Sequence, residues 1–177
     1  MNNKLLNLAL AISQVMRSFL IFILVVVMGM GIIVIANSEA LPFLHYQDGS
    51  FSFSTSEGQN GGGNVRPEGW FMAFSFAKLA FSILCSILIL NEGLKVIRSI
   101  RSLATFKKKN IAAFRRMANV FLLLFFLYMF YLKQSGDGLA FTFSLPLNYL
   151  FAVIGCFILA EIFKEGNRLM EENELTI

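Results

Sequence analysis

Four stretches of the chain are strongly apolar and almost free of charge, and polar, charged or glycine-rich segments separate them. Residues 18–36 carry no charged side chain in 19 positions. At 1.5 Å per helical residue they span about 28 Å, enough to cross the hydrocarbon core of a bilayer. Residues 70–90, 117–132 and 146–163 repeat the pattern. The periodicity therefore predicts an all-α membrane protein: one domain over residues 1–177 with four transmembrane helices. Loops 37–69 and 133–145 lie on one side, and a linker 91–116 and a tail 164–177 lie on the other. Ahead of the first span, Leu5, Leu8, Ile12, Val15 and Phe19 recur at three- and four-residue spacing, a helical stripe. This lead either lies on the membrane surface or extends the first span. A cleavable leader ending near Ala36-Asn37-Ser38 is the rival reading, against which the apolar run is long. Gly29 and Gly31 offer the first span a thin face.

Two short segments alternate with period two, the signature of strands: residues 50–54, and residues 139–145, where Leu139, Phe141, Phe143 and Leu145 interleave with Ala140, Thr142 and Ser144. Both fall in loops on the same side, so the pattern predicts a small outer β-sheet in which they pair. The loop between spans one and two also holds a glycine-rich tip, residues 57–64. Beyond residue 90, Leu94, Ile97, Ile100 and Leu103 continue the helical spacing of the second span, with Lys95, Arg98 and Arg101 between them. Asn110 is placed to cap a new helix running into span three, and Pro146 suits the first turn of span four.

Composition agrees with the pattern. Of 177 residues, 56% are hydrophobic and 20 are Phe, with mean hydropathy +0.68. That is more apolar mass than a soluble domain of this length needs. The formal net charge of +4 then reads as topology. The linker alone holds eight of the 15 basic residues against one acid, Glu92. The segment before span one and the tail hold two each; the two outer loops hold Arg66 and Lys133. Basic residues are retained on the cytoplasmic side, so both termini are expected in the cytoplasm of a cell whose inner membrane the chain crosses. Cys85 and Cys156 sit in apolar runs without metal-ligand spacing and read as reduced, buried side chains.

Candidate chemistry is sparse. Lys78 is a base inside an apolar run. It either snorkels toward the outer surface, as the N-terminal lean of helical side chains permits, or faces the other helices as an intramembrane charge. His45 is the only histidine and lies in a loop. There is no HExxH, no GxSxG and no acid pair within a span, and the 57–64 stretch lacks the GK[ST] of a phosphate loop. No enzymatic activity, cofactor or metal is therefore expected.

The closing segment, Glu161-Ile-Phe-Lys-Glu-Gly-Asn-Arg-Leu-Met-Glu-Glu-Asn-Glu-Leu-Thr-Ile177, resembles the terminal motif of a family of small four-span bacterial membrane proteins, domain of unknown function 2975. Residues 97–116, with Phe106, Asn110 and Arg115-Arg116, are similar to that family's basic linker. The run Lys107 to Lys109 and the Ala104-Thr105 pair depart from it. The resemblance implies a four-span membrane fold with no established activity. It also implies, as a partner, a small cytoplasmic helix-turn-helix regulator encoded nearby. On that footing the candidate interaction residues are Arg98, Arg101, Phe106, Asn110, Arg115 and Arg116 in the linker, and Glu165, Gly166, Leu169, Glu171, Glu172 and Leu175 in the tail.

Two functions stay open on the sequence. One is a regulatory or sensory membrane protein whose basic linker and acidic tail dock on each other or on a cytoplasmic partner. The other is a small oligomeric transporter or channel subunit, resting on Lys78. Lipid, and a second copy of the chain, are the remaining expected partners; direct binding to nucleic acid is not expected.

Overall fold

The structure, a computed structural model, describes residues 3–36, 44–47, 50–53, 69–101, 108–135 and 138–174. Four helices carry the chain: α1 (Asn3–Ala36), α2 (Gly69–Arg101), α3 (Lys108–Met129) and α4 (Leu147–Glu174). All four are long and apolar enough to cross a membrane. This follows from the sequence because hydrocarbon cannot solvate a backbone N–H or C=O, so a spanning segment must satisfy its own backbone groups. The stripe ahead of the first span does not form a separate surface helix; it is the lower part of a continuous α1.

Close packing follows chain order: α1 on α2, α2 on α3, and α3 on α4. Each neighbour runs antiparallel. Val27 and Val34, late in α1, cluster with Phe76, Ala80, Ile83 and Ile87, early in α2. Gly31 faces Phe76 of α2, where a Cβ would make ordinary van der Waals contact at 3.5 Å, whereas Gly29 faces open space. A second cluster joins Val96 of α2 to Ile111, Phe114 and Met117 of α3 and Ala160 of α4. Its rings Phe114 and Phe163 lie 5.0 Å apart, and nearer the other end Tyr128 stacks on Tyr149 at 5.3 Å. Helix α3 thus sits between α2 and α4, and α1 stands at the edge of the row. Its large apolar side chains away from α2 are exposed, as are those on the outer face of α4, among them Phe151, Phe157 and Ile162.

Two expectations are corrected. Within the described residues, 50–53 pair with 44–47 and 138–143 with 130–135, and not with each other. Among the described residues there are two separate two-stranded sheets. Strand β1 (Leu44–Gln47) pairs antiparallel with β2 (Ser50–Phe53), and β3 (Phe130–Ser135) with β4 (Gly138–Phe143). Locality explains the choice. Two residues separate β1 from β2, and closing a short loop costs less entropy than joining distant segments. The second correction concerns span three, expected to run to residue 132. Its helix ends at Met129, because Phe130 to Ser135 are taken by the ladder with β4, starting at the Phe130–Phe143 pair. The Ser144 amide donates to the Met129 carbonyl, closing the hairpin onto the helix end at 2.9 Å. Since the helices alternate in direction, both hairpins lie at one end of the row, and the linker, tail and start of α1 lie at the other.

Ala118 is fully buried in α3, while Phe126 on the same helix is half exposed. Ala118→Phe is expected to lower stability by about 1–3 kcal/mol through overpacking, and Phe126→Ala by far less. Thermal unfolding of the detergent-solubilised protein measures the difference.

Candidate functional site

The polar side chains gather at the linker end, on all four helices. Helix α1 contributes Arg17, whose guanidinium donates to the Asn91 side-chain oxygen on α2 at 3.2 Å. Helix α2 contributes Glu92, largely buried, whose Oε1 accepts from Lys95 one turn on and from Arg116 of α3 at 3.4 Å. One carboxylate therefore holds two bases from two helices. Two atoms here, Arg17 Nε and Glu92 Oε2, are buried without a hydrogen-bond partner among the described residues. A buried carboxylate of this kind is stable only because cations surround it.

One step further along, Asn110 of α3 is buried and donates its side-chain amide to the Ser99 hydroxyl of α2 at 2.9 Å. It lies two residues inside the helix start, so it bridges two helices and is not the cap its position in the sequence suggests. Lys108, at the first residue of α3, reaches Glu171 of α4 at 3.3 Å. That is the direct ion pair between the basic stretch and the tail. Glu171 also accepts from Asn167, and this bond, followed by Lys108, holds its carboxyl below the usual value of 4.5.

Other acids near the end of α4 pair with bases on the same helix. Glu161 pairs with Lys164, and Arg168 spans Glu165 and Glu172. Gly166 is half-buried and Leu169 exposed. Arg98 and Arg115 are exposed on α2 and α3. Arg101 is the last residue of α2, and Phe106 and Leu175 lie outside the described residues. Of the expected linker and tail residues, the fold unites Asn110 with α2, Arg116 with Glu92, and Glu171 with Lys108. Sequence reasoning named Glu92 only as the lone acid of a basic stretch and passed over Arg17, Asn91 and Ser99. Its isolation among eight bases was the available signal, since an acid near a membrane boundary in such company is placed to be shared.

At the opposite end lies Lys78, partly buried on α2. Its ammonium donates to the Phe130 carbonyl at 3.2 Å and lies 5.2 Å from the centre of the Tyr128 ring. It thus sits at the junction of α3 and β3. A cation suits the carbonyl-rich C-terminus of a helix and the face of an aromatic ring. Among the described residues no three of His, Cys, Asp and Glu converge as metal ligands, and Cys85 and Cys156 are free thiols.

A family model described as Protein of unknown function (DUF2975) matches residues 66–177. No curated protein and no solved structure matches the chain.

Replacing Glu92 by Gln removes the charge that Lys95 and Arg116 share while keeping the shape. The expected loss is about 1–3 kcal/mol, read as a lower unfolding temperature, and Arg116→Gln added to Glu92→Gln should cost little more. The Lys108–Glu171 contact gives a pH test. Because the folded carboxyl is held below 4.5, its contribution is present above that value and lost as pH falls through the depressed one. Lys108→Ala should therefore loosen the end of α4 at neutral pH and have no effect in strong acid, as hydrogen exchange of residues 168–174 will report.

Proposed function

The chain belongs to the DUF2975 family, and from that premise we propose that it is a non-enzymatic regulatory membrane protein whose linker end engages a cytoplasmic partner. Both termini, the linker and the tail then face the cytoplasm, and the two hairpins face outward. The distribution of basic residues supports this orientation, with 12 of 15 on the linker side. In a cell with a single energised membrane, or an inner one, that is the membrane it crosses.

One observation carries the proposal. Polar side chains of α1, α2, α3 and α4 are tied together at the linker end, by Arg17–Asn91, Glu92–Arg116, Asn110–Ser99 and Lys108–Glu171. A displacement of any one helix, started by the hairpins or by the state of the bilayer, is felt by the others where a soluble partner can read it. Coupling of this kind needs no catalytic group. It needs an element with two arrangements, and the screened, exposed pairs of the tail can exchange partners at small cost. Arg98, Arg115 and the tail acids supply charges of both signs for a partner of mixed charge. A helix-turn-helix regulator is the partner proposed. The alternative, a small oligomeric transporter or channel subunit, rests on Lys78, which donates to the Phe130 carbonyl and lies over the Tyr128 ring.

The test is co-purification from native membranes of the full chain and of a variant ending at residue 163. The full chain is expected to retain a soluble protein that the shortened one loses. Identical partners for both would sink the role of the tail. A reporter that fluoresces only in the cytoplasm, fused after Ile177, is expected to shine, and the same reporter inserted at Asn60 to stay dark.

A further inference from the structure

Helix α1 has two apolar faces, and α2 covers only one. Leu10, Arg17, Val27, Gly31 and Val34 turn toward α2 and are buried or partly buried. On another side of the same helix lie Leu5, Leu8, Ile12, Val15, Phe19 and Phe22, each more than half exposed. Their spacing is three, four, three, four, three. At 100° per residue this keeps them on one seam that drifts slowly around the helix, the spacing of a coiled coil; above Arg17 other large apolar side chains, among them Ile21, Val25 and Met28, are exposed too, so the seam stands out in the lower turns.

Lipid cannot account for the whole seam. Helix α1 has 34 residues and is about 51 Å long, against a hydrocarbon layer of about 30 Å. The charge-free stretch begins after Arg17, and Arg17 is held there by Asn91, beside Glu92 and Arg116. The lower turns, with Leu5, Leu8, Ile12 and Val15, therefore stand beyond the layer, where apolar side chains meet headgroups and water.

We propose that this seam is the contact between two copies of the chain, which associate through α1 side by side and parallel. Two copies with one topology in one membrane necessarily run parallel, related by a two-fold axis along the membrane normal. The flanking positions Ala9, Ala11, Met16 and Ser18 are uncharged, and the one base among the flanking positions is Lys4 at the very start, so little repels a partner helix of the same sequence. The absence of charge also argues against a partner that presents acids or bases. The area suffices: at roughly 100 Å² of exposed surface per seam side chain, two copies would bury about 1,200 Å², the lower bound of a specific, stable interface. Among the described residues nothing blocks the approach, because α1 stands at the edge of the row with α3 and α4 beyond α2. The association joins two linker ends, and so doubles the surface offered to a soluble partner.

Cysteine crosslinking in native membranes tests it, with Cys85 and Cys156 replaced by Ala. Leu8→Cys and Val15→Cys are expected to give about tenfold more covalent dimer under mild oxidation than Leu10→Cys, which faces α2. Leu8→Asn with Ile12→Asn should halve the mass measured by light scattering of the full chain in detergent, with helicity by circular dichroism unchanged. If that double variant fails to fold, the crosslinking comparison decides alone. Equal crosslinking at Leu8→Cys and Leu10→Cys, no dimer at any seam position, or a product with another protein would each overturn the proposal. These results are independent of which soluble partner the tail retains.

Discussion

The bilayer interior does not solvate charge, and the arrangement of this chain follows from that. A charged side chain in the middle of a span costs several kcal/mol, so the chain is sorted into four nearly uncharged helices and the charges are pressed together at their ends. Crowding is greatest at the linker end, where eight bases fall in 26 residues with one acid in sequence reach. Left alone, the bases would repel one another across α2 and α3. Glu92 relieves this by accepting from Lys95 and Arg116 at once, and its burial is tolerable only because both are present. The apolar cluster of Val96, Ile111, Phe114 and Met117 supplies the greater part of the packing at that end, and Glu92 supplies register.

The tail shows how similar chemistry gives a different result outside the membrane. Its acids are exposed, and bases one turn away on the same helix neutralise most of them: Lys164 for Glu161, and Arg168 for Glu165 and Glu172. Glu171 crosses to the basic stretch, through Lys108. The tail continues from a helix that packs on α3 through Phe163 on Phe114 and Ala160 in the shared cluster. Opposite net charges of linker and tail suggested ionic docking; Lys108–Glu171 is one such latch, at the end of a helix seated by apolar contact.

The helices were legible in the sequence because length and absence of charge are one-dimensional properties, and solvation in a bilayer depends on little else. Strand existence was legible for the same reason, through the alternation of residues 50–54 and 139–145. Strand pairing was not, because it depends on which segment closes first. The two-residue gap between residues 47 and 50 favours the first local hairpin, whereas Phe130–Ser135, with Phe, Tyr and Leu in succession, carries no alternation to mark the second. At the candidate site, the bases and tail acids could be named in advance. Their partners could not, since Arg17, Asn91, Glu92 and Arg116 are brought together only when three helices align. Asn110 illustrates the limit: its sequence context fits a cap, and only the position of Ser99 makes it a bridge.

The edge position of α1 follows from the same sorting. A closed four-helix bundle would cover an apolar face of its first helix with its fourth, and here close packing instead stops at each neighbour in the chain. Helix α4 spends its inner face on α3, at Phe163 and Ala160. Within the hydrocarbon layer an uncovered face costs nothing, because lipid tails are as apolar as Leu or Val. Below Arg17 that tolerance ends while the apolar pattern continues for three further turns. A sequence shaped only by the need to sit in lipid has no reason to keep three-four spacing there. It does have one if the face has a second helix to meet, and at that depth burial from water, absent in the span above, adds its own driving force.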